Sequence, residues 1–597
     1  MNVTRRAAGL TLAGALAGLG DLPARAAEAD PHADPDITRR LHALFDRQWQ
    51  ALLQRLPELA TFLGDHRFDD RLADLSPAAL AADETRTRQW LAEAKAIPRE
   101  ALAPADRVSL DMFVGARERE LALQPFTGFR SLRVGVLGGA QSDFASLMQA
   151  TRLETKADVG NLMKRFAALP ARMDQEIALM RGGLAQGWVP ARPVLERVLA
   201  QIDGQVSLAL DESPYFDPFR HLGREIPEAE RPALQAAGRA AIEREVIPSL
   251  RKLRAFVADE YLPKAPADGA LRHLPGGAQV YEVLVRQQTT TPLPAAEIHA
   301  IGQRELKRLR AEMEATAKAA KFDGDFAAFV QFLNTDRRFF FDSGEALLAG
   351  YRDIAKRIDA ELPRLFAELP RLPYGVRAIP AFRGPDVAEY YSGPDRDGTR
   401  PGWFNANTTG FAKKPKWEMA TLVAHEAVPG HHLQVARGLE LRNLPEFRRG
   451  GFGYTAFVEG WALYAETLGF EMGLYEDPYA RFGHLQWQAF RAARLVVDTG
   501  LHALGWTRQQ AIDFMVERTG VDRGFVSEEV DRYLSTPAQA LSYMIGELKI
   551  VELRDRAKAA LGPKFDLRRF HNAVIDQGAL PLDTLERVID EWVAAQR

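Results

Sequence analysis

Ala424-His425-Glu426-Ala427-Val428-Pro429-Gly430-His431-His432-Leu433-Gln434 decides how the rest of the chain is read. The sequence holds 12 His in 597 residues, so three His this close together are a concentration. Imidazoles hold a divalent metal, and a carboxylate next to the first His can accept a proton from water at that metal. In the compact His-Glu-x-x-His form the second His comes four residues after the first, but here Pro429 occupies that place. The second ligand is therefore His431 or His432. A regular helix turns about 100° per residue, which brings His432 to roughly 20° from His425 and His431 to roughly 120°. Pro and Gly inside a helix cost about 3 and about 1 kcal/mol, so a kink or widened turn is expected. Such an expansion favours His431, with His432 as its rival.

A site that keeps an open position needs a third protein ligand, commonly a carboxylate. Glu459 and Glu466 lie two helical turns apart within Phe457-Val458-Glu459-Gly460-Trp461-Ala462-Leu463-Tyr464-Ala465-Glu466. Their apolar neighbours predict a buried helix, and a buried carboxylate needs a partner. Glu459 is the expected ligand, with Glu466 behind it accepting an imidazole N–H. Zinc is the expected metal.

Composition narrows the function classes. The formal net charge of −3 gives no reason to expect a nucleic-acid partner or an anionic membrane surface. The sequence has no Cys, which leaves His and carboxylate as strong ligands and excludes a lipid-modified Cys. Residues 1–26 read as a signal peptide: Thr4-Arg5-Arg6, a small apolar run from Ala7 to Gly20, and Ala24-Arg25-Ala26 before Ala27. The apolar run is too short to span a bilayer. The paired arginines point to the twin-arginine route, with general secretion as the alternative. A periplasmic or secreted protein without stable membrane insertion is expected.

The remaining chain is predicted to be mainly α. Apolar residues three and four apart, as in Ile37-Leu41-Leu44-Phe45 and Leu162-Met163-Phe166-Leu169, mark helices from about Asp36 to Pro263. A break near Pro263 to Gly277 suggests an N-terminal helical lobe, 27–270, and a C-terminal lobe with the metal site, 271–597. A long helix is expected from Ala295 to about Lys321. Gly135-Val136-Leu137-Gly138-Gly139 lacks the ending of a phosphate loop and reads as a turn. Tyr374 to Gly410 is the place for a few strands, and the strand just before the metal helix is expected to offer an edge to an extended substrate. Asp477-Pro478, Thr507 and Thr536-Pro537 are expected helix starts, the last helix ending at Gly562-Pro563.

The motif residues closely resemble the bacterial family known as domain of unknown function eight-eight-five, with its His-Glu-x-x-Pro-Gly-His-His-x-Gln signature. Here that signature runs from His425 to Gln434, and the likeness continues through Ala456–Tyr464, Arg494–His502, Pro537–Tyr543 and Ile545-Gly546. The family usually carries Gly at the position of Ala538, a change with no evident cost from sequence. The family in turn is similar to helical zinc peptidases of the thermostable-carboxypeptidase and thimet-oligopeptidase type. That resemblance implies a large, mainly α, two-lobed metallopeptidase-like fold with a deep cleft, to which the Tyr374 to Gly410 stretch adds a small β element before the metal helix. It also implies His425, His431 and Glu459 as zinc ligands and Glu426 as general base.

Amide hydrolysis further needs a donor for the developing oxyanion, for which Tyr543 and His502 are candidates. Arg491 and Arg494 are candidates to bind a peptide carboxylate. The expected function is a secreted zinc-dependent metallopeptidase acting on short peptides. The competing readings are a metal hydrolase of another amide or ester, and a metal-binding helical scaffold without turnover.

Overall fold

The computed structural model describes residues 33–380, 388–395, 398, 400–449 and 453–597. The expected signal peptide lies outside these residues. Helices follow one another along nearly the whole described chain, and a single three-stranded sheet interrupts them. Helix starts use local chemistry. Asp34 accepts from the Asp36 and Ile37 amides ahead of helix Pro35–Arg55, and Asp477 accepts from Ala480 N–H with Pro478 in the first turn. Thr507 and Gln510 form a reciprocal capping box.

The apolar periodicity turns inward as three cores. Leu41, Leu44, Phe45 and Phe113 form one. Phe166, Ile177, Phe219 and Val246 belong to a second. The third and largest joins Tyr281, Leu309, Trp461, Leu495, Tyr533 and Ile550. Inside it, helix Ala295–Ala319 packs along helix Pro478–Thr499, and helix Thr455–Thr467 along helix Ser542–Leu561. The second of these pairs is in backbone contact. A Cβ on Gly546 would lie 1.9 Å from the Ala456 carbonyl oxygen, and one on Gly460 2.5 Å from Gly546 Cα. Any side chain at either position would push Glu459, next to Gly460, away from its neighbours.

The sheet has the order β1-β3-β2, with β1 Tyr374–Ala378 parallel to β3 Gly402–Ala406 and β2 Tyr390–Ser392 antiparallel to it. The strand just before the metal helix, β3, is therefore central, and both its edges are already bonded. This corrects the expectation that it offers an edge to substrate.

The helix expected to open at Thr536-Pro537 also differs from expectation. It begins at Ser542, not at Thr536-Pro537, because the chain first makes a turn through Ala538 at φ 66° and a short 3-10 segment. A non-glycine residue in this left-handed region costs about 1–2 kcal/mol. Alanine at 538 is thus not free of cost, as the sequence alone suggested. Gly135–Gly139 is a turn, closed by a bridge between Val134 and Gly139.

Candidate metal centre

The helix carrying His425 and Glu426 stops at Glu426, and a new one starts at His431. Between them Ala427 and Gly430 leave helical geometry, with ψ of −110° and −126°. The turn is held from two directions. His432 N–H donates to the Ala427 carbonyl at 2.9 Å, and the Trp461 indole N–H donates to the Pro429 carbonyl at 2.9 Å. Gly430 lies against the end of the first helix, where a Cβ would sit 2.0 Å from the His425 carbonyl oxygen and 2.4 Å from that of Ala424. This approach folds His431 back beside His425, and their rings meet edge to face with centroids 4.8 Å apart.

Glu459 completes the group. Its Oε2 lies 3.6 Å from His425 Nε2 and 3.6 Å from His431 Nε2. One ligand atom from each of the three residues falls within 4.8 Å of the others, a set that can hold a metal ion. That Oε2 is buried and has no hydrogen-bond partner. A buried carboxylate oxygen left bare between two imidazole nitrogens is costly without a cation, so the donor set fits a divalent metal.

Behind His425, Glu466 is 1% exposed. Its Oε1 accepts from His425 Nδ1–H at 2.8 Å, and its Oε2 accepts from the Thr421 hydroxyl at 2.8 Å. These bonds fix the tautomer that turns Nε2 toward Glu459. The charges reflect the crowding. Burial opposes a proton on His425, but the Glu459 and Glu466 carboxylates on its two sides prevail and lift its pKa to about 9. Burial pushes His431 down to about 4. Burial would raise Glu459, yet the two imidazoles hold it at about 2. Burial also lifts Glu426, one residue from a ligand, to about 7.

Three sequence expectations are corrected here. His432 is not beside Glu459. Its Nε2 faces the Leu372 carbonyl at 3.0 Å and its Nδ1 the Tyr391 hydroxyl at 3.0 Å, so neither nitrogen is free for a metal. His502 cannot serve as an oxyanion donor. Its Nδ1 accepts from Leu271 N–H at 3.1 Å, and its only N–H is spent on the Tyr533 carbonyl at 3.1 Å. Arg494 spends Nη2 on Glu529 at 2.8 Å and Nε on the Tyr533 hydroxyl at 3.0 Å, so only Nη1 is left without an acceptor and the two-pronged fork for a carboxylate is lost.

Arg491 and Tyr543 remain. The buried Nε and Nη1 of Arg491 make no hydrogen bond, and the Tyr543 hydroxyl accepts a long hydrogen bond from the Gln539 amide at 3.5 Å. The sequence reading missed Tyr391, which stacks on His431 with centroids 6.3 Å apart while its hydroxyl meets His432. Its position in a short strand before the motif carried no local signal of that contact.

Among solved structures, the chain is similar to one from Colwellia psychrerythraea described provisionally as a lipoprotein. Identity is 27%, coverage 94% of this chain and 99% of that one, and the TM-score 0.88. A second, from Shewanella oneidensis, is described provisionally as a lipoprotein of unknown function; it shares 18% identity over 93% of this chain and 99% of its own, with a TM-score of 0.72. A third, from Bacillus anthracis and described provisionally as an oligoendopeptidase F, has 13% identity, coverage of 86% and 96%, and a TM-score of 0.31, at which nothing about this chain follows. No curated protein matches. The model of bacterial proteins of unknown function DUF885 matches residues 57–589, and the chain belongs to that family.

Proposed function

We propose that this protein is a zinc-dependent hydrolase that cleaves short peptides outside the cytoplasm. The observation that carries the reading is the bare, buried Glu459 Oε2 between His425 and His431. Two His and one carboxylate are a donor set used for catalytic zinc, with room for an exchangeable position. Bound there, such a cation supplies a Lewis acid for a carbonyl and lowers the pKa of water.

Two side chains beside the set, Glu426 and Glu466, and one further hydroxyl, that of Tyr543, support hydrolysis over storage. Glu426 is partly exposed next to a ligand, where it can take a proton from attacking water and return it to the departing amine. The Tyr543 hydroxyl accepts at most a long contact from Gln539, so its own proton is available to a developing oxyanion. Glu466 keeps His425 oriented through Nδ1.

The apolar segment Ala7 to Gly20 and the small residues before Ala27 support export. None of the described helices is long and apolar enough to cross a membrane. A mature N-terminus near Ala27, read by terminal sequencing of native protein, is the expected result.

Metal content and hydrolysis of a peptide library, measured in the same variants, test the mechanism. Glu426→Gln should bind metal as the wild type does and lose turnover by about 10²–10⁴-fold. Glu459→Gln and His431→Ala should lose metal and activity together, whereas His432→Ala should keep the metal. A Glu426→Gln protein that still cleaves peptides at the wild-type rate would end the proposal.

A further inference from the structure

Among the described residues, Arg165, Arg448, Arg491 and Arg494 are the buried arginines. Three of them are bonded: Arg165 to Thr61 and the Arg71 carbonyl, Arg448 to Ser109 and the Gln577 carbonyl, Arg494 to Glu529 and Tyr533. Arg491 is the exception. It is 9% exposed, and its buried Nε and Nη1 have no acceptor. Its guanidinium carbon lies 4.6 Å from the Trp487 ring and 5.9 Å from the Tyr543 ring. Aromatic faces hold a guanidinium in place without using its N–H donors.

The position is informative. Arg491 stands two turns after His484 on one helix face, and His484 Nδ1 is 3.8 Å from Glu466, the carboxylate that orients His425. Glu466 and Glu459 are among the charges that act on Arg491, yet neither bonds to it. Of the other cations nearby, Arg494 keeps only Nη1 without an acceptor, its Nε and Nη2 being bonded. Arg494 is paired with Glu529, and Lys414 with Glu389 at 2.7 Å. Glu426, Glu459 and Glu466 gather near one another here, and a guanidinium with free donors is the group among them that can receive an anion. A buried guanidinium without a partner is costly, and its forked donors match a carboxylate.

We infer that Arg491 receives the C-terminal carboxylate of the peptide, so that the enzyme removes residues from the C-terminus and does not cut inside chains. This rests on the peptidase reading above. A terminal carboxylate is the one anionic group that every peptide carries within a residue of a scissile bond. Arg491 is within electrostatic range of Glu459 and of Glu466, the carboxylate that orients His425.

The test separates binding from turnover. Zinc-loaded Glu426→Gln protein is immobilised and offered two pools of randomised N-acetylated tripeptides, one of free acids and one of C-terminal amides. The acids should be retained about 10–100-fold more strongly, the range expected for charge-assisted hydrogen bonds. Arg491→Met on the same background should erase the difference while leaving the melting temperature unchanged or higher, because it removes an unpaired buried charge. Arg491→Lys, which keeps charge but not the fork, should restore part of it.

Equal retention of acids and amides, retention of neither, or a preference that survives Arg491→Met would each overturn the inference. Digestion of both pools by wild-type enzyme then distinguishes the two readings. Cleavage of acids and amides alike, with equal retention, keeps the peptidase and removes the carboxylate anchor. Selective retention of acids without any cleavage keeps the anchor and removes the peptidase.

Discussion

Glu466 does at residue scale what the ligands cannot do for themselves. An imidazole can rotate and change tautomer, and the Nδ1–H bond to Glu466 keeps His425 Nε2 facing Glu459. Glu466→Gln is nearly isosteric but removes the charge, and it must place an amide N–H₂ against either His425 Nδ1–H or the Thr421 hydroxyl. Loss of such a supporting partner typically costs about 10–100-fold in metal affinity. Titration against a chelator of known affinity measures this. An unchanged affinity would show that His425 needs no outside orientation.

The feature that matters among the elements is the interruption between helices Met419–Glu426 and His431–Glu440. A continuous helix would carry His432, not His431, round to the side of His425. The break reverses that choice, and it depends on the contact of Gly430 with the two carbonyls of the preceding helix. Gly430→Ala places a methyl inside that contact. Overpacking of this kind costs about 1–3 kcal/mol, and the displacement falls on His431. The variant should show both a lowered denaturation midpoint and weakened metal binding. If stability falls while metal affinity stays at the wild-type value, the turn does not position His431 as described.

For the molecule as a whole, His502 ties two distant parts of the chain together. Leu271 N–H donates to its Nδ1, and its Nε2–H donates to the Tyr533 carbonyl. Both bonds require the neutral ring, and burial pushes the pKa down to about 4. The unfolded value is about 6.5. A depressed pKa means that the stabilising contribution is present above pH 6.5 and is lost as pH falls through about 4. The loss from this one group approaches at most about 1.4 kcal/mol per pH unit within that window. Urea unfolding of wild type and His502→Gln between pH 7 and pH 4 should show the shallower pH dependence in the variant. Identical slopes would mean that His502 is not the titrating group.

Much was legible locally. Apolar spacing showed the helices, caps such as Asp477-Pro478 and Thr507 with Gln510 marked their starts, and the His-Glu pair with a downstream Glu in an apolar run identified the residue types of the site. Those signals are local because helix periodicity, capping and residue chemistry act within a few positions of one another. The order of the strands, which left β3 without a free edge, was not local. Nor were the commitments of His432 to Leu372 and Tyr391, of His502 to Leu271 and Tyr533, and of Arg494 to Glu529, or the lack of an acceptor for Arg491 Nε and Nη1. Each depends on which groups from remote segments compete for one side chain's hydrogen bonds. That competition is settled only when the helices pack, so the sequence determined the chemistry on offer, and the tertiary structure decided which residues remained free to perform it.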